Sequence, residues 1–254
     1  MIFHTYGNNN TDVIVLIHGM LNPWQIWEDA VSFFSKKHCV VVPELDAHTE
    51  DESSRFISIE NEADQLRDYL IRQFNGELFA ICGLSMGGRI AATLAGMEGI
   101  KTKHLVLDGA PLMKMPGILI SIMNKSYISI INKSQKRDPK VIESCKKDFL
   151  PERYHEHFFK IADNMNTESI SNILESVFSD FNYKTYDNAT KILFMHGTKG
   201  NEAVSKKAAV KMKAANPQTQ IRCFDGYAHA QLACFEPEKW IDEVQRFLTQ
   251  NQSK

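Results

Sequence analysis

LFAICGLSMGG, residues 78–88, is the stretch that decides the fold of this chain. Its first six residues are apolar or small and predict a buried strand, and a helical pattern follows from Met86 to Met97. Between them, Gly83, Ser85 and Gly87 fit the pattern G-x-S-x-G. In a strand–turn–helix context, this pattern holds the serine on a sharp turn with its hydroxyl exposed. The stretch therefore predicts a nucleophilic Ser85 at the carboxyl end of a strand.

Short apolar runs alternate with helical patterns along most of the chain, the clearest helices being expected at residues 59–74 and 237–248. The other predicted strands are residues 12–17, 39–43, 104–108, 191–195 and 220–224, with residues 1–6 as a candidate edge strand. Because these runs are continuously apolar, both faces of the strands are expected to be buried. The predicted fold class is therefore α/β, with a mostly parallel central sheet flanked by helices.

This alternation breaks between residues 111 and 188, where several helices and no clear strand are expected. Residues 111–147 carry eight Lys or Arg and two Asp or Glu, whereas residues 148–188 carry three and eight. The first half also holds an apolar run, Ile118 to Ile131, with methionines in or near it. We expect a helical cap, or lid, at 111–188 on a core of residues 1–110 and 189–254. The alternative is a helical subdomain that only packs on the core.

Composition excludes several classes of protein. The chain has 254 residues, a formal net charge of −2, 43% hydrophobic and 24% charged residues, which is typical of a soluble globular protein and gives no indication of a nucleic-acid partner. No apolar run reaches the roughly 18 residues of a transmembrane helix, and no signal peptide is evident.

The chain has an odd number of cysteines and no CxxC motif. They are Cys39, Cys82, Cys145, Cys223 and Cys234. We expect reduced cysteines, a cytoplasmic location, and no metal.

Two further motifs lie where partners of Ser85 are needed. His18-Gly19-Met20 follows the first buried strand, and the N–H of Met20 is expected to form an oxyanion hole with that of Met86. His229 ends a loop after the last strand, at the sheet edge where Ser85 is expected. There it can act first as general base and then as general acid.

The HG loop at residues 18–19, the GLSMGG turn at 83–88 and the late GYAH loop at 226–229 together resemble the α/β-hydrolase superfamily. The resemblance covers nearly the whole chain, with residues 111–188 in the position of the superfamily's cap. It implies an α/β-hydrolase fold, a Ser–His–acid triad and no cofactor. Most members have an eight-stranded core, and this chain is expected to lack the first strands.

The acid of the triad is where the sequence departs from the superfamily's pattern. The usual position, three residues after the glycine that ends the penultimate strand, holds Gly200. Two carboxylates are candidates: Asp108, at the end of the strand after Ser85, and Glu202, two residues beyond the usual position. We favour Asp108 because it needs no shift of register and lies at the correct edge of the sheet. A dyad without an acid is the third possibility.

The acidic loop at residues 44–52, which contains Asp46 and His48, is interpreted as solvated rather than as a metal site.

The predicted function is hydrolysis of a carboxylic ester through an acyl-enzyme, with a lipophilic small-molecule acyl substrate suggested by the methionines of the cap. A thioesterase, a lysophospholipase or a carbon–carbon hydrolase would use the same residues. A non-catalytic ligand sensor on the same fold is an alternative of a different class. Association of the basic, apolar segment 118–147 with a membrane surface is a further hypothesis. The oligomeric state is left open.

Overall fold

The computed structural model describes residues 1–8, 12–51, 53–144 and 150–250. The described residues do not include Glu52 of the acidic loop, Cys145 of the five cysteines, or Lys147 at the end of the segment 118–147. The described chain forms a seven-stranded sheet. Its strands are β1 Ile2–Tyr6, β2 Val13–Ile17, β3 Cys39–Glu44, β4 Glu77–Leu84, β5 Lys101–Asp108, β6 Lys191–His196 and β7 Thr219–Cys223.

The strand order is β1-β3-β2-β4-β5-β6-β7, and every neighbouring pair is parallel except β1 with β3. The central strands β2 and β4 are almost entirely buried, as their continuous apolar sequences predict. The prediction of a mostly parallel sheet flanked by helices is confirmed. Since parallel strands end at one edge, the residues that follow β2, β4, β5, β6 and β7 are brought together there.

Ten α-helices are formed by the described residues. Those of the core are α1 Glu28–Phe34, α2 Ile59–Phe74, α3 Met86–Ala95, α8 Glu202–Ala215, α9 Gln231–Phe235 and α10 Pro237–Thr249. Helix α2 begins after Ser58, whose hydroxyl accepts a hydrogen bond from the amide of Asn61 at 3.1 Å, and ends at Asn75 in the left-handed conformation. None of the helices in the described part of the chain is long and apolar enough to cross a membrane.

The insert of residues 111–188 contains the other four helices: α4 Gly117–Gln135, α5 Pro139–Ser144, α6 His155–Asn164 and α7 Thr167–Val177. Helix α7 is hydrogen-bonded to the core at two positions. The amide of Phe56 donates to Ser169 Oγ at 3.2 Å, and the amide of Ile59 donates to Ser176 Oγ at 2.8 Å. Helix α4 packs on α6 and α7, so its outer side is left facing solvent.

Candidate active site

Ser85 occupies a strained turn between β4 and α3. Its backbone has φ 54° and ψ −117°, a conformation that a residue with a side chain rarely adopts. Two glycines allow the turn: a Cβ at Gly83 would lie 2.2 Å from the carbonyl oxygen of Gly87, and a Cβ at Gly87 would lie 2.3 Å from that of Ile17. The amide of Ser85 also donates to the carbonyl of Asp108 at 2.7 Å. The chain is therefore packed so that the Ser85 side chain lies at the carboxyl edge of the sheet.

His229 joins Ser85 to an acid. The Ser85 hydroxyl lies 2.8 Å from Nε2 of His229, and Nδ1 of the same ring is hydrogen-bonded to Oε1 of Glu202. A carboxylate can only accept, so Nδ1 carries the proton and Nε2 is left to accept the hydrogen of the serine hydroxyl. This arrangement has the connectivity of a Ser–His–acid triad.

Glu202 is the first residue of α8 and is almost completely buried. Its second oxygen, Oε2, accepts a hydrogen bond from the amide of Gly197 at 2.7 Å. Burial opposes ionisation, but the hydrogen bond and charge of His229, together with the Gly197 amide, outweigh it and lower the pKa of Glu202. The carboxylate is therefore held in the charged form that stabilises an imidazolium.

The loops that carry His229 and Glu202 are tied to each other. The amides of Thr198 and Lys199 both donate to the carbonyl of Tyr227 at 3.0 Å, and the Thr198 hydroxyl donates to Asp225 at 3.0 Å. A Cβ at Gly197 would lie 2.2 Å from the carbonyl oxygen of Tyr227. The backbones of the two loops are therefore in direct contact, and a side chain at Gly197 would separate them. This contact fixes the distance between the histidine and its carboxylate.

The predicted oxyanion-hole residues, Met20 and Met86, both line the cavity beside Ser85. Met86 is the first residue of α3, where backbone N–H groups have no partner within the helix and where the helix dipole favours negative charge. Next to Met20, the amide of Leu21 donates to Nε2 of His48 at 3.0 Å. Leu21 has φ 60°, a strained backbone conformation for a residue with a side chain. The hydrogen bond to the buried His48 therefore holds the loop that carries Met20 in this conformation.

Next to Ser85 lies a cavity of about 290 Å³. Its wall combines core residues with residues of the insert, and most of the latter are apolar: Met115, Met123, Tyr127, Ile173, Leu174, Val177 and Phe178. The polar side chains among the lining residues are Ser85 and His229 at one end, and Asn22, Asn201, Ser205 and Tyr127 elsewhere. The site is therefore an apolar chamber with a nucleophile at one end, as in most small-molecule sites.

The comparisons with known proteins agree with this architecture. Residues 12–129 match the family model described as alpha/beta hydrolase fold. The chain has the α/β-hydrolase fold. No curated protein matches the sequence significantly.

Three solved structures share this α/β-hydrolase fold. The alpha/beta hydrolase family protein from Desulfitobacterium hafniense is 21% identical with a TM-score of 0.77, covering 98% of this chain and 100% of its own. A carboxylesterase structure from Nitrososphaera gargenis is 16% identical with a TM-score of 0.74, covering 97% and 93%. MenH from S. aureus is 18% identical with a TM-score of 0.73, covering 99% of each chain.

The expectation that Asp108 contacts His229 is not met in this structure. The Asp108 carboxylate is buried and accepts a hydrogen bond from Nε1 of Trp240 at 3.1 Å. Burial and the nearby charge of Glu202 raise the pKa of Asp108 to about 7, against the smaller opposing effects of His229 and Trp240. The carboxylate that contacts His229 is instead that of Glu202, because the loop from Gly197 turns back and brings the start of α8 against the imidazole.

Sequence reasoning missed how the loop after β3 packs. The loop after β3 is expected to be solvated, yet residues 44–49 are buried, His48 included. Burial lowers the pKa of His48 to about 4 and that of His18, whose Nε2 accepts from the Leu45 amide, to about 3. The available sequence signal is a histidine directly after β2 and a second one in the loop after β3. Within the described residues, no group of His, Cys, Asp and Glu is arranged to hold a metal ion.

Proposed function

We propose that this protein is a serine hydrolase that cleaves a carboxylic ester. The observation that carries the proposal is the continuous hydrogen-bonded chain from Ser85 through His229 to Glu202 beside an apolar cavity. We assign Glu202 as the acid in place of Asp108. The esterase among the structures of the same fold is consistent with this reaction class.

The reaction begins when Ser85 Oγ attacks the ester carbonyl and Nε2 of His229 takes the hydroxyl proton. Glu202 stabilises the imidazolium that forms. The N–H groups of Met20 and Met86 donate to the oxyanion of the tetrahedral intermediate, an interaction stronger in the transition state than in the ground state. His229 then gives its proton to the leaving alcohol, and an acyl-Ser85 remains.

Deacylation repeats these steps with water. His229 takes a proton from the attacking water, the oxyanion forms again on the same two amides, and the proton returns to Ser85 Oγ as the carboxylic acid leaves. Apart from this water, the groups that the proposed cycle uses are side chains and amides of this chain.

The insert of residues 111–188 acts as the cap of the site in this proposal. Its methionine, isoleucine, leucine, valine and phenylalanine side chains form the apolar part of the wall. At roughly 30 Å³ for each water-sized group, the 290 Å³ cavity holds about nine or ten such groups. The proposed substrates are therefore esters with an acyl chain of roughly four to eight carbons rather than long-chain lipids.

Turnover of p-nitrophenyl butyrate and p-nitrophenyl octanoate by the purified chain, beside Ser85→Ala and His229→Ala, tests the proposal. We expect turnover by the native chain and a loss of at least about 10³-fold in each variant. Equal turnover by Ser85→Ala would exclude the serine mechanism. Stoichiometric binding of the esters without release of p-nitrophenol would favour a ligand sensor.

A further inference from the structure

Helix α4 presents opposite properties on its two sides. On the inner side, Met123 and Tyr127 line the cavity next to Ser85, and Ile131 is fully buried. On the outer side, Ile118 and Ile122 remain 73% and 60% exposed. Ile118 is the most exposed of the large hydrophobic residues in the described part of the chain.

The exposed side of α4 is a continuous stripe. Positions i, i+4, i+7, i+11 and i+15 fall on one face of a helix. On α4 they are Ile118, Ile122, Lys125, Ser129 and Lys133, all exposed, and Leu119 lies at the edge of the same face, 42% exposed. The amino-terminal half of the stripe is therefore apolar and the carboxyl-terminal half is basic.

The charge of this stripe is not compensated locally. No Asp or Glu occurs in α4. Among the described residues, no carboxylate lies within ion-pair distance of Lys125 or Lys133, although a basic side chain of the neighbouring segment, Arg137, is paired with Asp163. The stripe carries positive charge on a chain whose formal net charge is −2.

We propose that the stripe Ile118–Leu119–Ile122–Lys125–Lys133 docks on an anionic lipid surface. Exposed isoleucines can enter the boundary between headgroups and acyl chains, while lysines near an anionic surface each add roughly fivefold to the affinity. Charge complementarity favours this occupant over a second copy of this chain, since two basic stripes would repel each other. An apolar and a basic signal together bind a membrane more stably than either does alone.

Docking in this orientation also indicates a substrate class for the proposed hydrolase, and this part of the inference rests on the proposed function. Ile122 and Met123 are neighbours in sequence, and one faces solvent while the other lines the cavity. A lipid surface bound to the stripe is therefore separated from the acyl cavity by the thickness of one helix. The substrate class that fits is an amphipathic ester held at a membrane surface, with one short or medium acyl chain.

Sedimentation with vesicles tests the proposal without using the catalytic reaction. The vesicles contain phosphatidylcholine alone or an equal mixture of phosphatidylcholine and phosphatidylserine. We expect the native chain to bind the mixed vesicles at least tenfold more tightly, with weakening as salt is raised. Ser85→Ala is expected to bind like the native chain, so loss of activity and loss of docking are separate results.

Matched variants locate the binding surface. The pair Ile118→Gln and Ile122→Gln, and separately the pair Lys125→Glu and Lys133→Glu, should each weaken binding at least about tenfold. Ile57→Gln, at a position 58% exposed elsewhere on the core, is the control for the first pair. Lys207→Glu with Lys211→Glu, at two exposed positions of α8, is the control for the second, because it changes the net charge equally.

Three results would overturn the proposal. One is the absence of binding to mixed vesicles by the folded native chain. Another is equal weakening by the control variants, which would make the attraction nonspecific. The third is a dimer in light scattering that becomes a monomer in the Ile118→Gln, Ile122→Gln variant, which would assign the stripe to a second copy of this chain.

Discussion

Glu202 holds His229 with one carboxylate oxygen and the amide of Gly197 with the other. The bond to Gly197 fixes the buried carboxylate at the start of α8 and prevents it from rotating away from the imidazole. It also supplies a donor that keeps the buried carboxylate charged. Glu202 therefore orients His229, and the Gly197 amide in turn orients Glu202.

Substitution of the two candidate acids distinguishes their roles. Glu202→Gln should lower kcat on the order of 10³-fold or more, since a neutral amide cannot stabilise the imidazolium and has one oxygen for the two donors, His229 and the Gly197 amide. Asp108→Asn should lower it less than about tenfold, because the amide oxygen can still accept from Trp240. Steady-state kinetics on p-nitrophenyl butyrate measures both. A larger loss for Asp108→Asn would return the role of the acid to Asp108.

The glycines of the serine turn are expected to be sensitive to a single methyl group. Gly87→Ala places a Cβ 2.3 Å and 2.4 Å from the carbonyl oxygens of Ile17 and His18. We expect destabilisation of about 3 kcal/mol or more in urea unfolding, or no folded protein at all. Gly117→Ala, where no atom lies within 4 Å of the added group, is the control and should be neutral. Similar midpoints for the two variants would contradict the close approach.

Acid should destabilise the fold through its buried histidines. His18 and His48 have folded-state pKa values of about 3 and about 4, well below the ordinary 6.5. Below pH 6.5 the unfolded chain binds protons that the folded chain does not, so the free energy of unfolding falls as the pH falls. Each histidine contributes up to about 1.4 kcal/mol per pH unit in this range.

His48→Gln should therefore flatten the decline in unfolding free energy between pH 6 and pH 4, whatever it does to stability at pH 8. Urea unfolding of both proteins at several pH values gives the two slopes. An unchanged slope in the variant would mean that His48 is protonated in the folded state.

The cavity wall should set the preferred acyl length. Val177→Phe narrows the chamber and is expected to move the optimum of a p-nitrophenyl ester series to shorter chains, whereas Met123→Ala should move it to longer ones. Ile122→Ala, one residue away but outside the cavity wall, should leave the optimum in place. The ratio of kcat/KM between butyrate and octanoate is the measurement, and a shift caused equally by Ile122→Ala would count against this wall.

The parts of the molecule that the sequence predicts are those whose signal is local. The strands follow from continuous apolar runs, and the turn at Ser85 from a pentapeptide between a strand and a helix. His229 could be singled out because it follows the last strand.

Glu202 could not be ranked above Asp108, because the choice depends on the path of the loop from Gly197 and on the bond that Trp240 makes with Asp108. Burial of His48 likewise depends on how the loop after β3 packs beneath the insert. The cavity wall from α7 required the tertiary arrangement of the insert, which no periodicity in its sequence specifies.

The most direct test of the central claim is covalent labelling with a fluorophosphonate, followed by mass spectrometry of the digested chain. An activated serine attacks phosphorus and displaces fluoride, so one label should be found on the peptide that contains Ser85. It should be absent from Ser85→Ala and much slower to form in Glu202→Gln. A folded native chain that takes no label, or takes it on another residue, would contradict a serine hydrolase built on Ser85, His229 and Glu202.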